Sequence, residues 1–139
     1  MANKSTRWKY YQPNKKDLKD KYGDCAVRSI CKAEGIEWLD AYDIMYKLSR
    51  EIQSPLNCKY GFEHIVKSLG YTYTGISNKK GSKRPTVNKF ALDHKEGTYI
   101  CVVANHYVTV QDGYFYDIWD SGECSLYGYW TKEVASADK

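Results

Sequence analysis

The stretch Asn105-His106-Tyr107-Val108-Thr109-Val110-Gln111-Asp112-Gly113-Tyr114-Phe115-Tyr116-Asp117-Ile118-Trp119-Asp120 decides how the second half of the chain folds. His106 to Gln111 alternates with a period of two and reads as a strand, and Tyr114 to Trp119 reads as its return. Asp112-Gly113 between them is a hairpin signal, because a type I′ turn needs positive φ at both central positions. The hairpin therefore carries an acid back beside the histidine that opens it. A two-residue loop sets His106 opposite Trp119 and puts Asp117 on the His106 face. A three-residue loop, Gln111 to Gly113, sets His106 opposite Ile118 and puts Asp120 there. One residue of slip exchanges the two faces, and the sequence leaves both registers open.

Working outward, Thr98 to Ala104 is expected as the strand before this hairpin and Tyr127 to Thr131 as one after it. Tyr71 to Ile76, aromatics alternating with Thr, is expected as an earlier strand. Upstream the period changes to that of helices. Asp24, a preferred N-cap residue, opens a helix in which Ala26, Val27, Ile30 and Ala33 share a face, and Gly35 stands where a C-cap glycine belongs. Trp38 to about Arg50 predicts a second helix with Trp38, Tyr42, Met45, Tyr46 and Ser49 on one stripe. Gly61 to Leu69 predicts a third, and Thr86 caps a short fourth that ends near His94. Helices first and antiparallel strands after is an α+β layout. The polar, basic residues 1–21 are expected as an N-terminal arm anchored by Tyr10, Tyr11 and Pro13, and 22–139 as one compact domain.

Composition bounds the function. At 139 residues, 42% hydrophobic and 27% charged, the chain is long enough for one real core and is no disordered tail. No apolar run reaches the length of a membrane span, and no secretion signal opens the chain. A net charge of +4 is mild for a nucleic-acid binder. The five cysteines are an odd number without a Cys-x-x-Cys pair, which predicts reduced thiols and a cytoplasmic location rather than a disulfide scaffold.

Among those cysteines Cys25 is the candidate nucleophile. It falls in the first turn of its helix, where the partial positive charge of a helix N-terminus favours a thiolate. Cysteines are more often packing residues, so the position counts only with a partner. His106 at the mouth of the sheet is that partner, and an acid on the returning strand would hold the ring by its other nitrogen.

The runs Gly23-Asp24-Cys25-Ala26-Val27-Arg28-Ser29-Ile30-Cys31 and Asn105-His106 through Asp120-Ser121 resemble the nucleophile helix and the His and Asn/Asp strands of papain-like cysteine peptidases. The resemblance is nearest to small phage and bacterial members, more distant to bacteriocin leader peptidases and Josephin deubiquitinases. It covers about residues 22–35 and 97–130. It implies a papain-like α+β fold, with the nucleophile helix packed on a C-terminal antiparallel sheet, and a Cys-His-acid triad. In such families the acid stands at a strand end, often before Ser or Pro, so the resemblance implies Asp120 as the acid, with Asp117 as the alternate. These families also carry a Gln five or six residues before the Cys. Those positions here are Asp20 and Lys19, so Gln12 and Asn14 are the oxyanion candidates, beside backbone N–H groups at Cys25. Losing one such donor typically costs about a hundred- to a thousandfold in rate.

The expected function is a thiol protease that cleaves a peptide or isopeptide bond through a Cys25 thioester. No cofactor is called for. The partner is a peptide or protein substrate rather than nucleic acid or membrane, the chain is taken as a monomer, and the look-alikes imply the cytoplasm of a bacterium or a phage-infected cell. The alternatives are an acyltransferase or transglutaminase using the same triad, or an inactive binding module of phage origin. Cys31 and Cys101 read as core. A zinc site from Cys58, His64 and Cys124 lacks finger spacing, so no metal is expected. His64 and His94 read as surface or cap residues. Lys79, Lys80, Lys83 and Arg84 read as a solvated basic loop.

Overall fold

Asp112 and Gly113 both take positive φ, 50° and 88°, and Gln111 pairs directly with Tyr114. The hairpin thus has the two-residue loop its residue types favour. Around it the computed structural model describes residues 5–77 and 83–132. In chain order the elements are β1 (Trp8–Tyr10), α1 (Cys25–Glu34), α2 (Trp38–Glu51), α3 (Lys59–Ser68), β2 (Thr72–Gly75), α4 (Val87–Asp93), β3 (Thr98–Val103), β4 (His106–Gln111), β5 (Tyr114–Asp117) and β6 (Gly128–Thr131). The fold is mixed α+β, with four helices and one six-stranded sheet in the order β1-β5-β4-β3-β6-β2. Every pairing is antiparallel except β1 with β5.

The alternation of β3 sends its side chains into two cores. Ile100, with Val102 partly buried beside it, joins Ala26, Val27 and Ile30 of α1, Met45 of α2 and Phe62, Ile65 and Val66 of α3. Cys101 and Val103 join Val108, Val110 and Phe115 under α4, which contributes Val87, Phe90 and Ala91. Each such side chain, fully buried, stabilises the fold by roughly 1.5–3 kcal/mol relative to exposure. Two side-chain bonds fasten α1 across β4: Thr109 Oγ1 donates to the Ser29 carbonyl at 2.9 Å and Gln111 Nε2 to that of Lys32 at 3.4 Å. Gly35 ends α1 in the left-handed region, φ 67°, with its N–H on the Cys31 carbonyl. Among the described residues no helix is long and apolar enough to cross a membrane.

Four details depart from the sequence reading. Residues Trp8–Tyr10 of the expected arm form the edge strand β1 on β5, because that strand's outer edge still has backbone groups to satisfy. Strand β5 ends at Asp117, not Trp119, because the Asp117 carboxylate accepts the next N–H, that of Ile118, at 2.8 Å and takes it out of the ladder. The α2 stripe is divided: Met45 and Ser49 are buried, while Trp38, Tyr42 and Tyr46 stack outside them with ring centroids 5.2 and 6.3 Å apart. Asp24 stands at the α1 N-cap without capping it, since its carboxylate is engaged elsewhere. Thr86 does cap α4, accepting the Lys89 N–H. Lys79 and Lys80 of the basic loop lie outside the described residues.

Candidate active site

Three elements converge at one end of the sheet. Helix α1 begins with Cys25, so the thiol sits where backbone N–H groups have no partner within the helix. His106 is the first residue of β4, just after a two-residue turn in which Asn105 takes φ 52° and across from Val103. Asn tolerates that left-handed conformation better than most residues. Asp117 is the last residue of β5. By the register of the hairpin it opposes Val108 and lies on the His106 face.

The imidazole joins the other two groups. His106 Nε2 lies 2.6 Å from Asp117 Oδ2, and the same ring is near enough to Cys25 to act on its thiol. Asp117 is 1% exposed. Its Oδ2 also accepts the Ser121 hydroxyl at 2.7 Å, and its Oδ1 accepts the Ile118 N–H and, at 3.3 Å, Arg28 Nη2. Trp119 covers the pair from outside, its ring centroid 5.1 Å from that of His106. It is 44% exposed, so it is a cover and not a core tryptophan.

The electrostatics follow from these contacts. Burial pushes the Cys25 thiol up. The His106 bond, the Tyr107 backbone N–H and the charges of His106 and Arg28 together outweigh it and bring the thiol below its ordinary value. For His106 burial works against the cation, but the bonds to Asp117 and Cys25 and their charges raise the imidazole to about 9. Both shifts favour thiolate beside imidazolium.

The acid on His106 is therefore Asp117, and the expectation of Asp120 is corrected. Asp120 faces the other way: its Oδ2 accepts the Ser5 N–H at 2.7 Å and its Oδ1 the Gly122 N–H at 3.0 Å. The strand-end acid with a nearby serine is present, but the strand ends two residues earlier than expected and Ser121 serves Asp117. The oxyanion candidates are corrected as well. Gln12 donates to Asp20 at 2.9 Å and accepts the Asn14 N–H, and Asn14 Oδ1 accepts the Lys16 N–H. Neither lines the space in front of Cys25, whereas Asn57 and Asn105 do. Asn57 sits one residue before the α3 cap, and no local pattern in the sequence pointed to it.

That space is a cleft of about 590 Å³ running from Cys25 and His106 to β2. Its wall is aromatic, built from Phe62, Tyr73, Tyr107, Tyr127 and Trp130. Phe62 and Tyr107 stack face to face with centroids 4.0 Å apart. An extended polar backbone with apolar side chains suits such a groove.

The remaining cysteines and histidines are not gathered with it. Cys31 and Cys101 are buried in the two cores. The Cys58 thiol caps α3 and is drawn below its ordinary value by the Ser54 hydroxyl and then by the Gly61 N–H. His64 pairs with Glu51 at 2.9 Å, and His94 lies on Phe90, its Nδ1 2.8 Å from that residue's carbonyl. Among the described residues no three His, Cys, Asp or Glu side chains are grouped as a metal site would require.

Fold and site together define an α+β protein with a Cys-His-Asp cluster at the head of an aromatic cleft. Set beside known proteins, the chain matches no family model, no curated protein and no solved structure.

Proposed function

We propose that the protein is a cysteine hydrolase of the papain-like kind, cleaving a peptide or isopeptide bond. The observation that carries this reading is the His106 ring, held by the buried Asp117 carboxylate at Nε2 and near enough to Cys25 to draw its thiol down. A core cysteine needs no such partner, and a solvated strand-end histidine needs no carboxylate that is itself 1% exposed.

The steps balance without a further reagent. The Cys25 thiolate attacks the scissile carbonyl carbon, and the resulting oxyanion lies at the α1 N-terminus, where the Cys25 N–H and the helix dipole favour negative charge. Collapse breaks the C–N bond, and the His106 imidazolium gives its proton to the leaving amine. The product is a Cys25 thioester and a neutral imidazole. A water molecule then attacks the thioester while His106 takes its proton, the C–S bond breaks, and the acid product leaves with thiolate and imidazolium restored. Asp117 holds the ring in the tautomer and orientation both steps need. Asn57 and Asn105 are the side-chain amides near enough to the cleft to supply a second oxyanion donor.

The test is a peptide mixture, such as a proteolytic digest of casein, incubated with the protein and with Cys25→Ala and followed by mass spectrometry. New termini that appear only with the intact thiol support the reading, as does a hydroxamate when hydroxylamine intercepts the thioester. Identical mixtures from both proteins, with no hydroxamate, would sink it.

A further inference from the structure

Arg28 is 5% exposed, and no step of the hydrolysis uses it. A buried guanidinium stays charged and must find partners. It follows Cys25 by three residues on α1, so both side chains leave the same face of the helix. Its Nη1 donates to Asp24 Oδ1 and its Nη2 to Asp117 Oδ1. Asp24 is fixed in turn by Trp38 Nε1, which donates to its Oδ2 at 2.9 Å. The guanidinium therefore ties the start of the nucleophile helix to the acid directly, without passing through the imidazole.

Resting on the Cys-His-Asp reading above, we propose that Arg28 is the positioning residue of the site. Its fork clamps α1 to the end of β5 and, with the Ile118 N–H on the same oxygen and the Ser121 hydroxyl on the other, sets the rotation of the Asp117 carboxylate so that Oδ2 meets His106. Asp24 is its counterweight. The guanidinium lies closer to Asp24 than to Asp117, so its charge is shared and Asp117 keeps its hold on the imidazolium. A lysine could not do this, because one ammonium cannot present two arms in a fixed plane.

Arg28 is bonded to Asp24 and Asp117, its charge is felt by Cys25 and Cys31 on α1 and by Tyr10 on β1, and His106 on β4 lies across Asp117 from it. Charge and geometry can be separated by substitution. In Arg28→Gln the cation beside Cys25 is gone and Asp117 is no longer shared, so thiol and imidazolium should both titrate at higher pH. In Asp24→Asn the guanidinium turns wholly to Asp117 and an anion beside Cys25 is lost, so both should titrate lower. Arg28→Lys keeps the charge and loses the fork.

The experiment measures Cys25 alkylation by iodoacetamide against pH, with labelled sites mapped by mass spectrometry, and follows His106 by ring-proton NMR in the full chain. We expect the labelling rate at pH 6 to fall about tenfold in Arg28→Gln and to rise in Asp24→Asn, one unit of displacement being a factor of ten. We expect Arg28→Lys to keep its midpoints and lose the downfield Nε2–H resonance of the His106–Asp117 bond. Melting curves report folding; if Arg28→Gln does not fold, the Lys and Asp24→Asn variants decide. Midpoints and the resonance unchanged in every folded variant would overturn the role of Arg28 and leave the site reading intact. Cys25 in the unsubstituted protein reacting no faster than Cys58, or no slower in His106→Ala, would overturn the site reading and this inference with it.

Discussion

Cys25 and Cys31 stand six residues apart on one helix, and their thiols are driven in opposite directions. Cys31 is 1% exposed, packed among Val27, Ile30 and the core of α2 and α3. Burial, with the Asp24 charge adding to it, pushes its thiol up to about 12. Cys25 is also largely covered, and burial acts on it in the same direction, but its thiol ends below the ordinary value. The difference is not exposure. It is the imidazole and the Tyr107 N–H beside the sulfur at the open end of the helix, with the charges of His106 and Arg28 adding to them. A buried thiol becomes a nucleophile when partners for its anion outweigh the loss of water, and stays inert where only carbon surrounds it.

The largest effect should come from removing the partner. His106→Ala should make Cys25 behave like an ordinary thiol, lowering its alkylation rate at pH 6 by about a hundredfold or more, since a free thiol near 8.5 is under 1% ionised there. Iodoacetamide labelling mapped by mass spectrometry measures this, and Cys31 should stay unlabelled in both proteins. Next in size is Asp117→Asn, which takes the carboxylate from His106 and leaves only Cys25 as a charged partner. Its imidazolium should titrate below the value near 9, and peptide cleavage should fall about a hundredfold, the lower end of what a positioned general base contributes. Asp120→Asn should leave both readouts in place, because Asp120 binds Ser5 and Gly122 instead. Equal losses in the two asparagine variants would break the assignment of the acid.

The comparison can be sharpened from the inert side. Cys31→Ser places a hydroxyl in an apolar pocket and should cost about 1–3 kcal/mol in urea unfolding, with Cys25 reactivity unchanged. The smallest effect is the pH dependence of stability. The folded His106 value, about 9, lies above the ordinary 6.5, so its contribution is fully present below about pH 6.5 and fades as pH rises through 9. The melting temperature of the unsubstituted protein minus that of His106→Ala should therefore shrink between pH 6.5 and 9.5. A difference that grows over that range would mean the ring is neutral in the folded protein.

Much of the fold was legible because its signals are local. Asp112-Gly113 marked the hairpin, Gly35 the end of α1, Thr86 the start of α4, and the period of two after His106 marked β4. Cys25 and His106 were legible as candidates for the same reason, one beside a cap residue and one at a strand start. What sequence withheld depends on contacts between distant residues. Strand β1 is three residues long, too short for a period, and exists because Trp8 meets a partner 109 residues along the chain. The choice between Asp117 and Asp120 turned on a register that one residue reverses, and the resemblance pointed to the wrong one because β5 stops early to feed the Asp117 carboxylate. Gln12 and Asn14 lie upstream of Cys25, as the resemblance asked, yet their side chains close the loop before α1 instead. Arg28 looked like one more cation on a helix; only the structure sets it between two buried carboxylates.

The parallel seat of β1 on β5 also orders events during synthesis. Cys25 and strand β1 precede His106 and Asp117 by some 80 residues or more, so the thiol is made well before the ring and the carboxylate that meet it. A nascent chain carries Cys25 as an ordinary thiol, because neither His106 nor Asp117 yet exists to ionise it. Only when β4 and β5 have paired can β1 dock and cover the acid strand, a long-range closure of the kind that folds slowly. The conditions that favour a Cys25 thiolate therefore exist only once these long-range pairings are in place.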